Sequence, residues 1–227
     1  MLPQIHLGKS SCIRFTRLMA ELPPARRGAY AKGVAKREEI LTRSLEVIAR
    51  SGYRGASVKE LADAAGLSQA GLLYYFDSKE ELFTEILRKR DEADVHSAGH
   101  GPDRLDDIAD VRRRCVSIVR HNAEVPGLVQ LFARLSVDAV APDHPAHRFF
   151  VERNRHIRND FGKVLADQQA AGAVTARIDP TTLTRILQAV ADGLQLQWLL
   201  EPDLDMAAIV GALLDLVEVP AVQETDS

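Results

Sequence analysis

Between Ser57 and Lys79 the chain gathers a set of hydrogen-bonding side chains. They are the hydroxyls of Ser57, Ser68, Tyr74 and Tyr75, the amide of Gln69 and the ammonium of Lys79. Such groups hydrogen-bond phosphate oxygens and base edges. None of them forms a nucleophile–base pair, and no G-x-S-x-G, P-loop or Rossmann fingerprint occurs anywhere in the chain. His96 and His100 lie four apart, and His144 and His147 three apart, the spacings at which one helix face could hold a metal. Both pairs fall in polar stretches with Gly or Pro and no supporting Cys, so we read them as solvated loop histidines. The acidic pairs Glu38–Glu39 and Asp106–Asp107 stand at expected helix starts, where a negative charge suits the helix dipole. No enzyme, metal site or cofactor is expected.

The polar groups need short, rigid elements to hold them. Ser57 and Glu60 form an S-x-x-E capping box, and Val58, Leu61, Ala62 and Ala65 give the following helix one apolar face. Gly66 then stands where a tight turn needs a residue tolerant of positive φ. Ser68 can cap a second helix, with Leu72 and Phe76 facing the core. A second box, Ser78 with Glu81, starts the next. The spacing predicts helices over 57–65, 68–75 and 78–95. In the second, Gln69, Ala70, Gly71, Leu73, Tyr74 and Tyr75 face outward. Small residues at 70 and 71 let the backbone approach another surface closely, at a cost in helix stability from Gly71. Tyr75 reads equally well as a contact residue or as a half-buried core tyrosine.

Before this unit, Ile40, Leu41, Leu45, Ile48 and Ala49 recur at three- and four-residue steps from about Val34, and Gly52 ends that helix. After it, a polar Gly-containing loop spans 96–107. Helices follow near 105–121, 125–139, 145–171, 180–199 and 204–218, punctuated by Pro126, Pro142, Pro145, Gly172, Pro180 and Pro202. Strict alternation of the strand type is almost absent. The fold class expected is all-α, with a three-helix N-terminal helix-turn-helix domain and a C-terminal helical bundle. The divisions are an N-terminal arm (1–33, disordered or basic), a helix-turn-helix (34–80), an effector and dimerisation domain (81–220) and a flexible tail (221–227). Met19, before a polar lead-in, is a second candidate start of translation. In the alternative, Arg26, Arg27 and Lys32 form an arm touching phosphates.

The charge distribution agrees with a polyanion partner at one end. The net −3 divides into +2 for residues 1–25, +4 for 26–90 and −9 for 91–227. The two cysteines, Cys12 and Cys115, fit no disulfide framework or redox spacing, which suits a reducing cytoplasm. No apolar run approaches the ~18 residues of a membrane span, and no secretion signal is evident.

With these residues in view, the segment 36–83 resembles the DNA-binding domain of the tetracycline-repressor (TetR) family. The likeness covers REEILTRSLEVIARSGYRGASV, the turn ELADAAGLSQ, and the closing FDSKEELF. It implies a dimer that binds double-stranded operator DNA and a small-molecule effector. It implies phosphate contacts from Ser57 and Lys79, and base-edge positions for Ser68, Gln69, Ala70 and Gly71. Tyr74 and Tyr75 would meet phosphate or thymine methyls. Leu73 stands where many members carry Tyr, so it offers a methyl contact in place of a hydroxyl. Gly71 stands where Thr or Ser is frequent.

The C-terminal helices resemble the family's dimerisation pair. Leu183, Ile186, Leu187, Val190, Leu194 and Trp198 on one, and Ile209, Leu213, Leu216 and Val217 on the next, offer more apolar surface than one core needs. Leu131, Phe132, Leu135, Phe149, Phe150, Ile157 and Phe161 are the candidate effector pocket, with Asn154, Arg158 and Gln195 as polar contacts; core packing is the alternative for the apolar ones. The expected function is a ligand-responsive transcriptional repressor. Effector binding would shift the population away from the DNA-binding spacing through helix 78–95. The rivals are a helical enzyme or ligand carrier, and an adaptor that dimerises without DNA.

Overall fold

The computed structural model describes residues 24–97 and 105–220. The expectations for residues 1–23, including a start at Met19, for most of the 96–107 loop and for the tail 221–227 lie outside the described residues. Nine helices follow one another among the described residues: Pro24–Gly55 (α1), Val58–Ala64 (α2), Gln69–Leu73 (α3), Lys79–Ser97 (α4), Ile108–Glu124 (α5), Pro126–Asp138 (α6), His147–Ala170 (α7), Pro180–Leu200 (α8) and Met206–Val217 (α9). The only extended pairing there is a single antiparallel bridge, Val174 with Glu218. None of these helices is long and apolar enough to cross a membrane.

The chain divides into two compact units, one ending at Ile40 and one running from Leu41. In the first, α1 is already helical at Pro24, ten residues before the expected start near Val34. Apolar periodicity marks only the buried part of a helix, and residues 31–35 are mostly exposed. Lys36 and Glu39 pair at 3.0 Å on this stretch.

In the second unit, α1 is interrupted at Gly52, whose φ of 73° is non-helical, as its expected place at the helix end requires. Helices α5 to α9 pack together: α7 on α8, α5 on α9, and α9 on α8. Their shared core includes Val111, Val129, Leu165, Leu183, Trp198 and Leu214. Each such fully buried side chain contributes roughly 1.5–3 kcal/mol. Arg112 clamps α5 to the end of α9. Its Nη2 donates to Asp215 Oδ1 and to Glu218 Oε1, both at 2.6 Å, and its Nη1 donates to the Gly211 carbonyl at 3.2 Å. The bond to Glu218 raises the Arg112 pKa above its ordinary value and holds the guanidinium charged. Helices α5, α8 and α9 take side-chain caps from Asp107, Asp179 and Asp205.

Helix α6 starts differently. Val125 offers no side-chain cap, and Pro126 fills the first turn, where a missing N–H costs nothing. Next to it Gly127 is buried against the end of α1. A Cβ built on Gly127 would lie 2.2 Å from the Ile48 carbonyl oxygen and 2.7 Å from the Gly52 Cα. Both obstacles are backbone, so neither can rotate away. We therefore expect Gly127→Ala to cost about 1–3 kcal/mol and to displace α1 from α6. Urea denaturation measures the first and amide exchange of α1 the second. Wild-type values for both would show that the approach is looser than described.

Candidate nucleic-acid interface

The unit from Ser57 to Lys79 is built by local hydrogen bonds. The Ser57 Oγ accepts from the Glu60 N–H at 3.2 Å, and the Glu60 Oε2 accepts from the Ser57 N–H at 2.8 Å. These bonds hold the Glu60 carboxyl below the usual carboxylate range. Helix α2 closes in a Schellman turn. Leu67 N–H donates to Ala62 O at 2.9 Å and Gly66 N–H to Asp63 O at 3.1 Å, with Gly66 at φ 66°. Leu61, Ala62, Leu72 and Phe76 are buried beneath the turn, and α2 packs on α3.

Helix α3 is only five residues long, shorter than the 68–75 expected. Ser68 caps it, its Oγ accepting from Gly71 N–H at 3.0 Å. Beyond Leu73 the Tyr75 N–H reaches back to Leu72 O, which tightens and ends the turn. The chain is then drawn into the next cap. Glu81 N–H donates to Ser78 Oγ at 2.9 Å, and the Glu81 carboxylate accepts from Asp77 N–H in place of Ser78 N–H.

The expected contact residues divide by exposure. Tyr74 is 84% exposed and Leu73 41%. Ser57, Ser68, Gln69, Ala70 and Lys79 are exposed as well. Tyr75 is half-buried with its ring edge-on to Tyr74, centroids 5.5 Å apart. Gly71 does not face outward as expected. It is half-buried, and a Cβ there would stand 3.3 Å from the Ser68 Oγ that caps the helix. Lys79 opens α4, its Nζ 5.2 Å from the Phe83 ring centroid. Each capping serine uses an oxygen lone pair as acceptor, which leaves its hydroxyl proton able to donate to a phosphate.

The effector candidates fall into two groups. Phe132 and Phe150 stand edge to face at 5.4 Å, and Phe149 and Phe150 at 5.0 Å. Leu131 and Leu135 are buried on α6 with Phe132. Asn154 Oδ1 accepts from Gln188 Nε2 at 2.6 Å. Phe161 instead packs on the α5–α9 core. Ile157 and Arg158 are half-buried. Gln195 is buried, with its Oε1 lacking any hydrogen-bond partner. Sequence reasoning missed the charged residues around Phe132. The guanidinium groups of Arg90 and Arg153 lie 5.2 and 4.9 Å from its ring centroid. Nothing in the local sequence flags them, since both stand in charged helical stretches.

The dimerisation candidates also divide. Leu183, Leu187, Leu194, Trp198 and Val217 belong to the protomer's own core, with Val190 and Leu213 partly buried against it. Ile186, Ile209 and Leu216 remain exposed. Leu196 and Leu200, not among the expected residues, are exposed too, Leu200 at 84%.

Residues 40–86 match the family model of the bacterial regulatory proteins, tetR family. The chain is 40% identical over 55 residues to the HTH-type transcriptional regulator RutR of Escherichia coli (strain K12), covering 24% of this chain and 26% of that protein. It is 27% identical over 135 residues to the HTH-type transcriptional repressor KstR2 of Rhodococcus jostii, covering 60% of this chain and 57% of that one. The matches therefore span less than two thirds of these relatives' length. Among solved structures, a TetR transcription regulator from Haloarcula marismortui superposes with a TM-score of 0.68 over 82% of this chain and all of that one, at 20% identity.

The turn makes its own prediction. Gly66→Ala forces an L-residue into the left-handed region and should lower stability by about 1–2 kcal/mol. Gly66→Asn should lose less, because Asn tolerates that region. Thermal melts of the two variants check the order. Equal melts for both variants and the wild type would refute the positive φ.

Proposed function

We propose that the chain is a ligand-responsive, DNA-binding regulator of transcription, since residues 40–86 match the tetR-family model and the fold is like that of a solved TetR transcription regulator. It acts in the cytoplasm as a homodimeric repressor, released from a palindromic operator by a small molecule. The observation that carries this reading is the surface of α3. A five-residue helix, capped at its start and pinned between two others, presents a tyrosine that is 84% exposed and no apolar reason for it. An exposed aromatic hydroxyl beside Gln69 and Lys79 suits a groove edge and its phosphates.

Two copies are needed for affinity, since one short helix makes few contacts. The dimer reading draws on α8. Its buried residues, Leu183, Leu187, Leu194 and Trp198, follow one stripe, while Ile186, Leu196 and Leu200 lie on another that is exposed. Ile209 and Leu216 on α9 are exposed as well. A standard interface buries about 800 Å² per partner, and these side chains would lie at its centre. Release follows from differential binding. An effector that prefers protomers with α4 displaced depletes the DNA-competent population and lowers the apparent affinity for DNA, and bound DNA lowers the affinity for effector by the same factor.

Two measurements test the reading. DNA upstream of the chain's own gene should be bound specifically, with log K falling linearly against log salt. Lys79→Ala should reduce that slope by about one per protomer. Tyr74→Ala should leave stability within about 0.5 kcal/mol while losing about 1.5–3 kcal/mol of binding for each phosphate bond removed. No preference over random DNA would refute the specific claim, and unchanged variants would show that α3 is not at the interface. Separately, the Ile186→Glu/Leu200→Glu double variant should sediment as a monomer and lose operator binding. A dimer of unchanged affinity would move the interface elsewhere.

A further inference from the structure

Five charged or amide side chains from three helices interact with one another, two of them flanking Phe132. Arg90 and Asp91 come from α4, Arg153 from α7, and Gln188 and Asp192 from α8. Arg153 Nε donates to Asp91 Oδ2 at 2.9 Å, and Arg90 Nη2 lies 3.5 Å from Asp91 Oδ1. One carboxylate is thus shared by two guanidinium groups that also flank one aromatic ring. The cluster runs inward from the surface. The Asp91 side chain is 27% exposed, that of Arg153 16%, and that of Arg90 only 2%.

Arg–carboxylate pairs are frequently bidentate, with two parallel bonds. Here Asp91 takes Nε, and the buried Nη1 has no hydrogen-bond partner. Burying a charged donor without an acceptor is unfavourable. Asp192 is the second carboxylate in reach; burial pushes its pKa up, against the opposing pull of Arg153. On the same face of α8, one turn beyond Asp192, the Oε1 of Gln195 is also buried without a partner. The surroundings are aromatic, with Phe132, Phe150 and Phe149 edge to face in sequence. Two cations, one fully committed anion, an unanswered guanidinium donor and an apolar wall describe the complement of a particular ligand.

We propose that the effector is an organic anion with an apolar body, its carboxylate-like group held by Arg153 beside Arg90 and its body lying along the Phe132–Phe150–Phe149 wall. The proposal rests on the regulator reading above and adds the effector's chemical class. It also assigns the route to DNA. An anion that accepts from Arg153 Nη1 draws on the same guanidinium whose Nε holds Asp91, and so weakens the bond by which α7 grips α4. Helix α4 opens with Lys79, so loosening that grip acts on the helix that reaches the DNA.

The test uses the full chain with phenylacetate, octanoate and decanoate, each against its primary amide, and acetate as an anion without a body. Binding is read by calorimetry and operator release by fluorescence anisotropy. At least one of the three larger acids should bind and release operator, with its amide and acetate weaker by about tenfold or more, the range of a charge-assisted hydrogen bond. Arg153→Gln should lose that acid by a similar factor, and Arg153→Lys should retain most of the affinity. Amides that bind as well as acids, acetate that binds as tightly, an Arg153→Gln variant that binds the acid normally, or a panel in which no acid binds would each overturn the proposal. Should Arg153→Gln fail to fold, the wild-type comparison of acid with amide decides alone. Failure of the regulator reading shows differently, as absence of specific operator binding before any acid is added.

Discussion

The constraint on which the rest depends contains no side chain. The first turn of α6 lies against the last turn of α1 so closely that a single methyl group on Gly127 would overlap the Ile48 carbonyl. Side-chain contacts give way by changing rotamer, whereas backbone contacts move only when whole helices move. The electrostatics favour the approach, because carbonyls near the C-terminal end of one helix face the N-terminal end of another. Helix α1 is the first wall of the helix-turn-helix, so α6 and the proposed DNA-binding surface are positioned together.

The same helix carries Phe132 five residues further on, about 7.5 Å along the axis at the α-helical rise. Phe132 is the ring flanked by Arg90 and Arg153. Within the second unit, the end of α1 and helix α4 are therefore each gripped from the C-terminal helices. One grip is α6 on α1 at Gly127, and the other is α7 on α4 through Arg153 and Asp91. Helix α6 links them, making the first contact at Gly127 and carrying Phe132 beside the second. A ligand seated there would bias both grips at once, and this gives the proposed population shift a defined pair of elements to act on.

What was legible in the sequence was local. The capping box at Ser57 and Glu60, the serine cap at Ser68 and the positive φ of Gly66 all involve bonds spanning three to five residues, so their residue types announce them. Helix order and the places of α4 to α9 followed from the same short-range signals. Long-range features were hidden. An Arg on a helix reads as a solvated charge, and nothing within the sequence near Arg153 points to Asp91, 62 residues away. The apolar residues of α8 gave a related ambiguity. Composition shows that the helix is apolar on more than one side, but it does not say which side meets the protomer's own core. Five of the ten expected interface residues turned out to be core. The early start of α1 was hidden because an exposed helical stretch carries no apolar period.

The shortness of α3 is where these points meet. Five residues are too few for a helix to be stable in isolation, since nucleation is unfavourable and propagation has no length to offset it. Gly71 weakens it further, and yet replacing Gly71 would press a side chain on the hydroxyl that caps the helix. The helix therefore owes its place to its neighbours: α2 across the Gly66 turn, the buried Leu72 and Phe76, and the second cap that begins α4. An element with little stability of its own takes its orientation from whatever holds it. Had α3 been long and self-sufficient, a small shift of α4 would have been absorbed between them. Because it is not, such a shift is passed on to Gln69, Ala70 and Tyr74, the residues it presents outward.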